Sequence, residues 1–252
     1  HNIQKIDAAW DQVRRPPMEP ITDFWQARVP REMKGPDGIH PISSIPQHES
    51  RILLSLAIDW FNPYHNKIAG KSASTGVMFM TCLNLPLMER LKPENIYFVG
   101  IMPGKKQQSN LDGILRPLVD ELLEYWNTGV YLTGLPGIDC PRLVRSALVQ
   151  LICDLPAARS VAGRGAADKL LKADPRAVRW SELNRLPYWN PITYTVLDAM
   201  HLILLGMCQF HWRKFWGGDH IPSNTGDATI PSLIIPQSSL ITGDEPAYPS
   251  LE

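Results

Sequence analysis

The sequence predicts an α/β fold in which a three-strand antiparallel meander is followed by a helix and by a fourth strand parallel to the first. Three observations predict it. Two apolar runs each end on an aspartate: Ile52-Leu53-Leu54-Ser55-Leu56-Ala57-Ile58-Asp59, and Leu148-Val149-Gln150-Leu151-Ile152-Cys153-Asp154. Short apolar runs bounded by breakers are the signature of buried strands. Two further runs lie between them, and the connections joining the first three are too short for helical crossovers, so these strands pair antiparallel.

Each element follows in order. Residues 1–48 are polar and rich in proline, with Arg14-Arg15-Pro16-Pro17 and Gly35-Pro36-Asp37-Gly38. They read as an extended lead-in with one short helix near Asp7 to Val13. Strand one spans about 51–59 and strand two about 76–83. Strand three spans about 95–101 and is stopped by Pro103-Gly104. Leu111, Ile114, Leu115, Leu118, Leu122 and Tyr125 then fall at helical spacing, which predicts a helix from Leu111 to Trp126. Pro117 either opens that helix at its first turn or kinks it. Strand four spans about 143–153, and a helix begins near Pro156. Residues 164–174 form a charged, helix-prone bridge. The apolar stretch from Val196 to Trp216 reads as a helix, giving a C-terminal helical region. The tail from Gly217 is rich in Pro, Ser, Thr and Gly and reads as irregular. The expected organisation is therefore a lead-in over 1–48, a core over 49–216 and a tail over 217–252.

Composition narrows the function classes. Hydrophobic residues make up 44% and charged residues 20%, the balance of a soluble globular protein. Lys+Arg and Asp+Glu are both 25, so the total charge gives no argument for nucleic-acid binding, which usually shows a basic surplus. Cys82, Cys140, Cys153 and Cys208 form no C-x-x-C pair, so neither a zinc knuckle nor a disulfide framework is readable. Reduced thiols in an intracellular protein are the expectation. No run of 18 apolar residues exists, and no membrane span is expected. The chain opens on His1 without a signal-peptide pattern, which reads as a processed or truncated start.

The two aspartates carry the chemistry. An aspartate at a strand end is by itself most often a turn residue. In α/β sheets, however, ligands gather at the carboxyl ends of strands. A crossover that lays strand four beside strand one makes Asp59 and Asp154 neighbours. Two such carboxylates form a hard-oxygen site suited to Mg²⁺, and metals held that way support in-line phosphodiester chemistry. Both carboxylates are therefore expected to be close enough to share a metal.

The β-β-β-α-β-α order is that of the ribonuclease-H-like fold. Specific strings then point to a family. Asp59-Trp60-Phe61-Asn62-Pro63-Tyr64 resembles the first catalytic motif of CACTA (En/Spm-like) DNA transposases, in particular the Plavaka-type elements of mushroom-forming fungi. Further similar strings follow in the family's order. They are Cys82-Leu83-Asn84-Leu85-Pro86, Lys92-Pro93-Glu94-Asn95-Ile96-Tyr97 and Gly100-Ile101-Met102-Pro103-Gly104. Next come Leu115-Arg116-Pro117-Leu118-Val119-Asp120-Glu121-Leu122 and Cys153-Asp154-Leu155-Pro156-Ala157-Ala158-Arg159. Val178-Arg179-Trp180-Ser181-Glu182-Leu183 and Asp198-Ala199-Met200-His201 complete the series. The resemblance implies a DDE/D transposase with Asp59 as first acid, Asp154 as second, and Asp198 and His201 as a D-x-x-H element. It implies Mg²⁺ as cofactor, DNA as partner, action in the nucleus, and hydrolysis of a DNA phosphodiester followed by strand transfer.

The departures shape a second reading. The family's C-x-x-C pair and long insert after the second acid are missing, so zinc is not expected. No motif marks the third acid; Asp219, Asp227, Asp244 and Glu245 qualify only by being acidic. The chain thus reads either as an enzyme or as a non-catalytic, internally deleted remnant serving as a DNA- or protein-binding module. Among smaller features, His65, Lys67, Lys71, Lys105 and Lys106 could approach metal or phosphate, but solvated loop side chains are the better reading. Trp180, Tyr188 and Trp189 could stack on bases, with core packing favoured. Arg159 could pair with a carboxylate or with a phosphate.

Overall fold

The computed structural model describes residues 3–16, 19–61, 75–103, 107–136, 140–154, 158, 161 and 180–198. The chain divides into two compact units, His1–Gly206 and Met207–Glu252, the second lying wholly outside the described residues. In chain order the described helices and strands are α1 (Ile3–Ala8), α2 (Asp11–Arg14), α3 (Val29–Glu32), β1 (Glu49–Phe61), β2 (Thr75–Cys82), α4 (Leu87–Arg90), β3 (Ile96–Pro103), α5 (Gln107–Asn127), β4 (Val130–Leu132), β5 (Arg142–Cys153) and β6 (Thr195–Leu197).

One mixed sheet runs in the order β3-β2-β1-β5-β4, with β6 also on β5. β1, β2 and β3 form an antiparallel meander, and β5 lies parallel to β1. Both β4 and β6 use the far edge of β5. The short β4 is antiparallel to its beginning, at Arg142 to Val144, and β6 is parallel to its end, at Leu151 to Cys153. The β1–β5 register shifts between Leu54 and Ser55: Leu54 pairs with Leu148, Ser55 with Gln150, and Val149 is the extra residue.

The sheet carries packing on both faces. On one face Leu56 and Ile58 of β1, Met78 and Met80 of β2 and Leu148, Leu151 and Cys153 of β5 meet Leu111, Leu115, Leu118, Val119 and Leu122 of α5. The helical spacing of that last set lays a single apolar stripe on the sheet. α5 runs unbroken through Pro117. Pro117 and Gly113, the residue whose carbonyl loses its helical partner, both lie on the exposed side. The helix ends at Gly129, whose N–H bonds back to the Glu124 carbonyl at 2.9 Å. Gly129 has φ of 73°, and a Cβ there would come within 2.8 Å of Leu143, so only glycine fits. Arg145 donates to the last carbonyls, those of Trp126 and Asn127, at 2.6 Å each.

The other face is covered over its lower part by residues 3–48. Trp10, Trp25, Met33 and Ile42 pack on Leu53, Leu83, Ala147, Val149 and Trp126. The polar, proline-rich lead-in is thus a folded arm with three short helices, built into the same unit as the strands. Composition hid this because a few large side chains do the packing. The Trp10 and Trp25 rings sit edge to face, 4.9 Å apart, and each indole N–H finds a backbone carbonyl, of Arg51 and Leu83 respectively.

The helix expected from Val196 is corrected at its start: Thr195–Leu197 is a strand. Residues 199–216 and the tail from 217 lie outside the described residues. Of the helix expected from Pro156, Ala158 and Val161 are described; both are helical and buried.

Candidate active site

Asp59 lies near the end of β1 and Asp154 directly follows β5. The last parallel pair is Ile58 with Cys153, so the next residue on each strand is an aspartate. Neighbouring strands lie about 4.8 Å apart. Ile58 and Cys153 face α5. By alternation Asp59 and Asp154 share the opposite face. Asp59 is exposed and Asp154 half-buried. The Ala158 N–H donates to the Asp154 carbonyl at 2.9 Å.

A third aspartate stands level with them. β6 continues the parallel pairing, with Leu197 beside Cys153, and the Asp198 N–H donates to the Cys153 carbonyl at 2.9 Å. Leu197 packs towards α5, which turns Asp198 to the carboxylate face. Asp59, Asp154 and Asp198 therefore form a row across β1, β5 and β6. The sequence carries a signal for this: Ile192-Thr193-Tyr194-Thr195-Val196-Leu197-Asp198 is another β-prone run ending on Asp. That run merges into the apolar stretch that follows, and the merged pattern reads as helix. His201, the partner in D-x-x-H, lies outside the described residues, as do Asp219, Asp227, Asp244 and Glu245. So do His65, Lys67, Lys71, Lys105, Lys106 and Arg159.

The donor chemistry of the row suits a hard, oxygen-seeking cation such as Mg²⁺. Among the described residues no group of three or more His, Cys, Asp or Glu side chains could hold a metal ion.

Other motif residues have structural work. Glu182 is buried and accepts from Arg116 at 3.2 Å and Arg185 at 3.1 Å, and Arg185 also reaches Asp120 at 2.5 Å. Two of the recognised strings are thereby clamped together on the α5 side. Tyr188 packs on Trp126 with ring centroids 4.3 Å apart, and its hydroxyl accepts from the Leu148 N–H. Burial pushes the Tyr188 hydroxyl pKa well up, which keeps it neutral. Trp189 also joins the core, whereas Trp180 is exposed. A cleft of about 480 Å³ lined by Lys34, Trp126, Tyr188 and Tyr194, among others, includes none of the three aspartates.

A model of the transposase family tnp2 matches residues 30–195, about two thirds of the chain. The chain belongs to the transposase family tnp2. The tnp2 match takes in Asp59 and Asp154 and stops just short of Asp198. It begins inside α3, so the family region includes part of the arm as well as the sheet. A search of the curated proteins finds no match. No helix among the described residues is long and apolar enough to cross a membrane.

Proposed function

We propose that this chain is the ribonuclease-H-like core of a CACTA-type transposase, and that its carboxylate row carries divalent-metal-dependent cleavage of DNA phosphodiesters in the nucleus. One observation carries this reading: the parallel pairing of β1 with β5, which brings Asp59 and Asp154 to the same level and face. Membership in a transposase family supports the substrate class. Asp59 and Asp154 would hold the cation, and Asp198 is the third acid that no motif in the tail supplied. Bound Mg²⁺ would polarise the scissile phosphate and activate the attacking water. The chain's own contribution is to seat the carboxylates on rigid strand ends, the middle one flanked on both sides. Strand ends hold such groups better than loops do.

The rival reading is a non-catalytic remnant that keeps the fold. The missing C-x-x-C pair and insert after Asp154 favour it. The zero net charge also weakens the counterion-release contribution to DNA affinity. Strand transfer by this chain alone is not expected, and cleavage should be weak.

The test is a plasmid-nicking assay in Mg²⁺ and in Mn²⁺, comparing wild type with Asp59→Asn, Asp154→Asn and Asp198→Asn. Metal-dependent nicking that disappears in the first two variants establishes the site. Loss in Asp198→Asn as well assigns the third acid. Equal background in all four proteins supports the remnant.

A further inference from the structure

We propose that Cys140 and His48 form a nucleophilic pair, a modification site at which a small disulfide or other soft electrophile reacts with this chain. The pair is independent of the carboxylates and lies at the opposite end of the sheet. His48 immediately precedes β1, and Cys140 lies two residues before β5. The first pair of the parallel ladder, Glu49 with Leu143, follows His48 by one residue and Cys140 by three.

The Cys140 Sγ is 3.3 Å from the His48 Nδ1. That distance lets a neutral ring nitrogen take the thiol proton as the sulfur attacks, a general-base role. The ring is presented by a constrained backbone. His48 has φ of 64°, a region that residues other than glycine seldom occupy. The His48 carbonyl accepts from the Leu143 N–H at 2.9 Å, and this bond ties the start of β5 to the residue that carries the base.

The other described thiols lack this combination. Cys153 is 1% exposed and packs in the core against α5. Burial pushes the Cys82 thiol pKa up, which holds it protonated. Cys140 is only half-buried, so a reagent can approach it while the imidazole is in contact.

The step balances without an added oxidant beyond the disulfide itself. His48 Nδ1 accepts the thiol proton, and the Cys140 thiolate attacks one sulfur of the reagent. A new S–S bond forms as the old one breaks. The released thiolate takes up a proton, so one protein thiol and one disulfide give one mixed disulfide and one small thiol.

The experiment treats the full chain with iodoacetamide and, separately, with an aromatic disulfide reagent, following each cysteine by peptide-resolved mass spectrometry. Cys140 is expected to react about tenfold or more faster than Cys82 and Cys153, and about tenfold more slowly in His48→Ala. Cys153, 1% exposed, serves as the folding control, because it stays protected only while the sheet is intact. If His48→Ala exposes it, His48→Gln replaces that variant, keeping a polar side chain without the base. The proposal fails if wild-type Cys140 is no faster than Cys82, or if a folded His48 variant leaves its rate unchanged.

Discussion

Asn84 shows what a single residue of a recognised string does. It is 2% exposed and spends its whole amide on the backbone. Its Oδ1 accepts from the Leu53 N–H at 2.8 Å, while Nδ2 donates to the carbonyls of Arg51 at 3.0 Å and Ile6 at 3.1 Å. One side chain thus joins the β2–α4 turn, strand β1 and helix α1. Replacing it with alanine strands a buried donor and two carbonyls. Asn84→Ala should lower the unfolding free energy by about 2–3 kcal/mol, read as a shift in the urea midpoint. Asn84→Asp should cost at least as much, because an oxygen would then face two carbonyls. A midpoint unchanged in both variants would contradict the assignment. The Cys82–Pro86 string was legible in the sequence as a family marker; that its asparagine is structural depends on contacts more than thirty positions away, which no local pattern encodes.

At the scale of elements, the β1–β2 pair holds Asp59 near the end where the two strands are connected, opposite Val77. Trp60 pairs with Gly76 across the two strands. A Cβ on Gly76 would lie 2.6 Å from the Trp60 ring and 2.8 Å from the Met102 side chain. An indole cannot bend aside as a flexible chain end can, so the strand has glycine where the ring must fit. Gly76→Ala should cost about 1–3 kcal/mol by overpacking and shift the tryptophan fluorescence. Unaltered stability and emission together would show that the ring has room. The strands of the meander and β5 were readable because each is an apolar run closed by breakers. β6 was not, since three strand residues precede a longer apolar stretch and helix and strand are hard to separate in such a run. β4 escaped for a related reason. Val130–Leu132 is only three residues long, with Tyr131 and Leu132 exposed, so it carries no period.

For the whole molecule, the arm is the element that composition misjudged. Its two buried tryptophans close a face of the sheet that would otherwise expose Leu53, Leu83, Ala147 and Val149. The Arg90 guanidinium grips both oxygens of Asp23 at 3.0 and 3.1 Å, and Arg142 pairs with Asp7, so the arm is anchored to the β2–α4 region and to β5. Deleting residues 1–48 is therefore expected to leave a chain that binds a hydrophobic dye, self-associates in size-exclusion chromatography and loses its cooperative melt. A deleted form that stays monomeric and melts like the full chain would show the arm to be dispensable. The candidate site was legible where each acid ends a clean strand, as at Asp59 and Asp154. Their adjacency required the crossover, and the third member of the row required β6.

The extra residue Val149 has a consequence for that row. A strand counts in twos: each step along it exchanges one face for the other. Had β1 and β5 paired without interruption from Leu54 and Leu148, Cys153 would sit beside Asp59, and Asp154 beside Trp60 among the side chains under α5. The one-residue slip at Leu54 and Ser55 changes odd for even above it and turns Asp154 outward. The parity of this single irregularity, far down the strand, decides whether the second aspartate meets solvent or hydrocarbon.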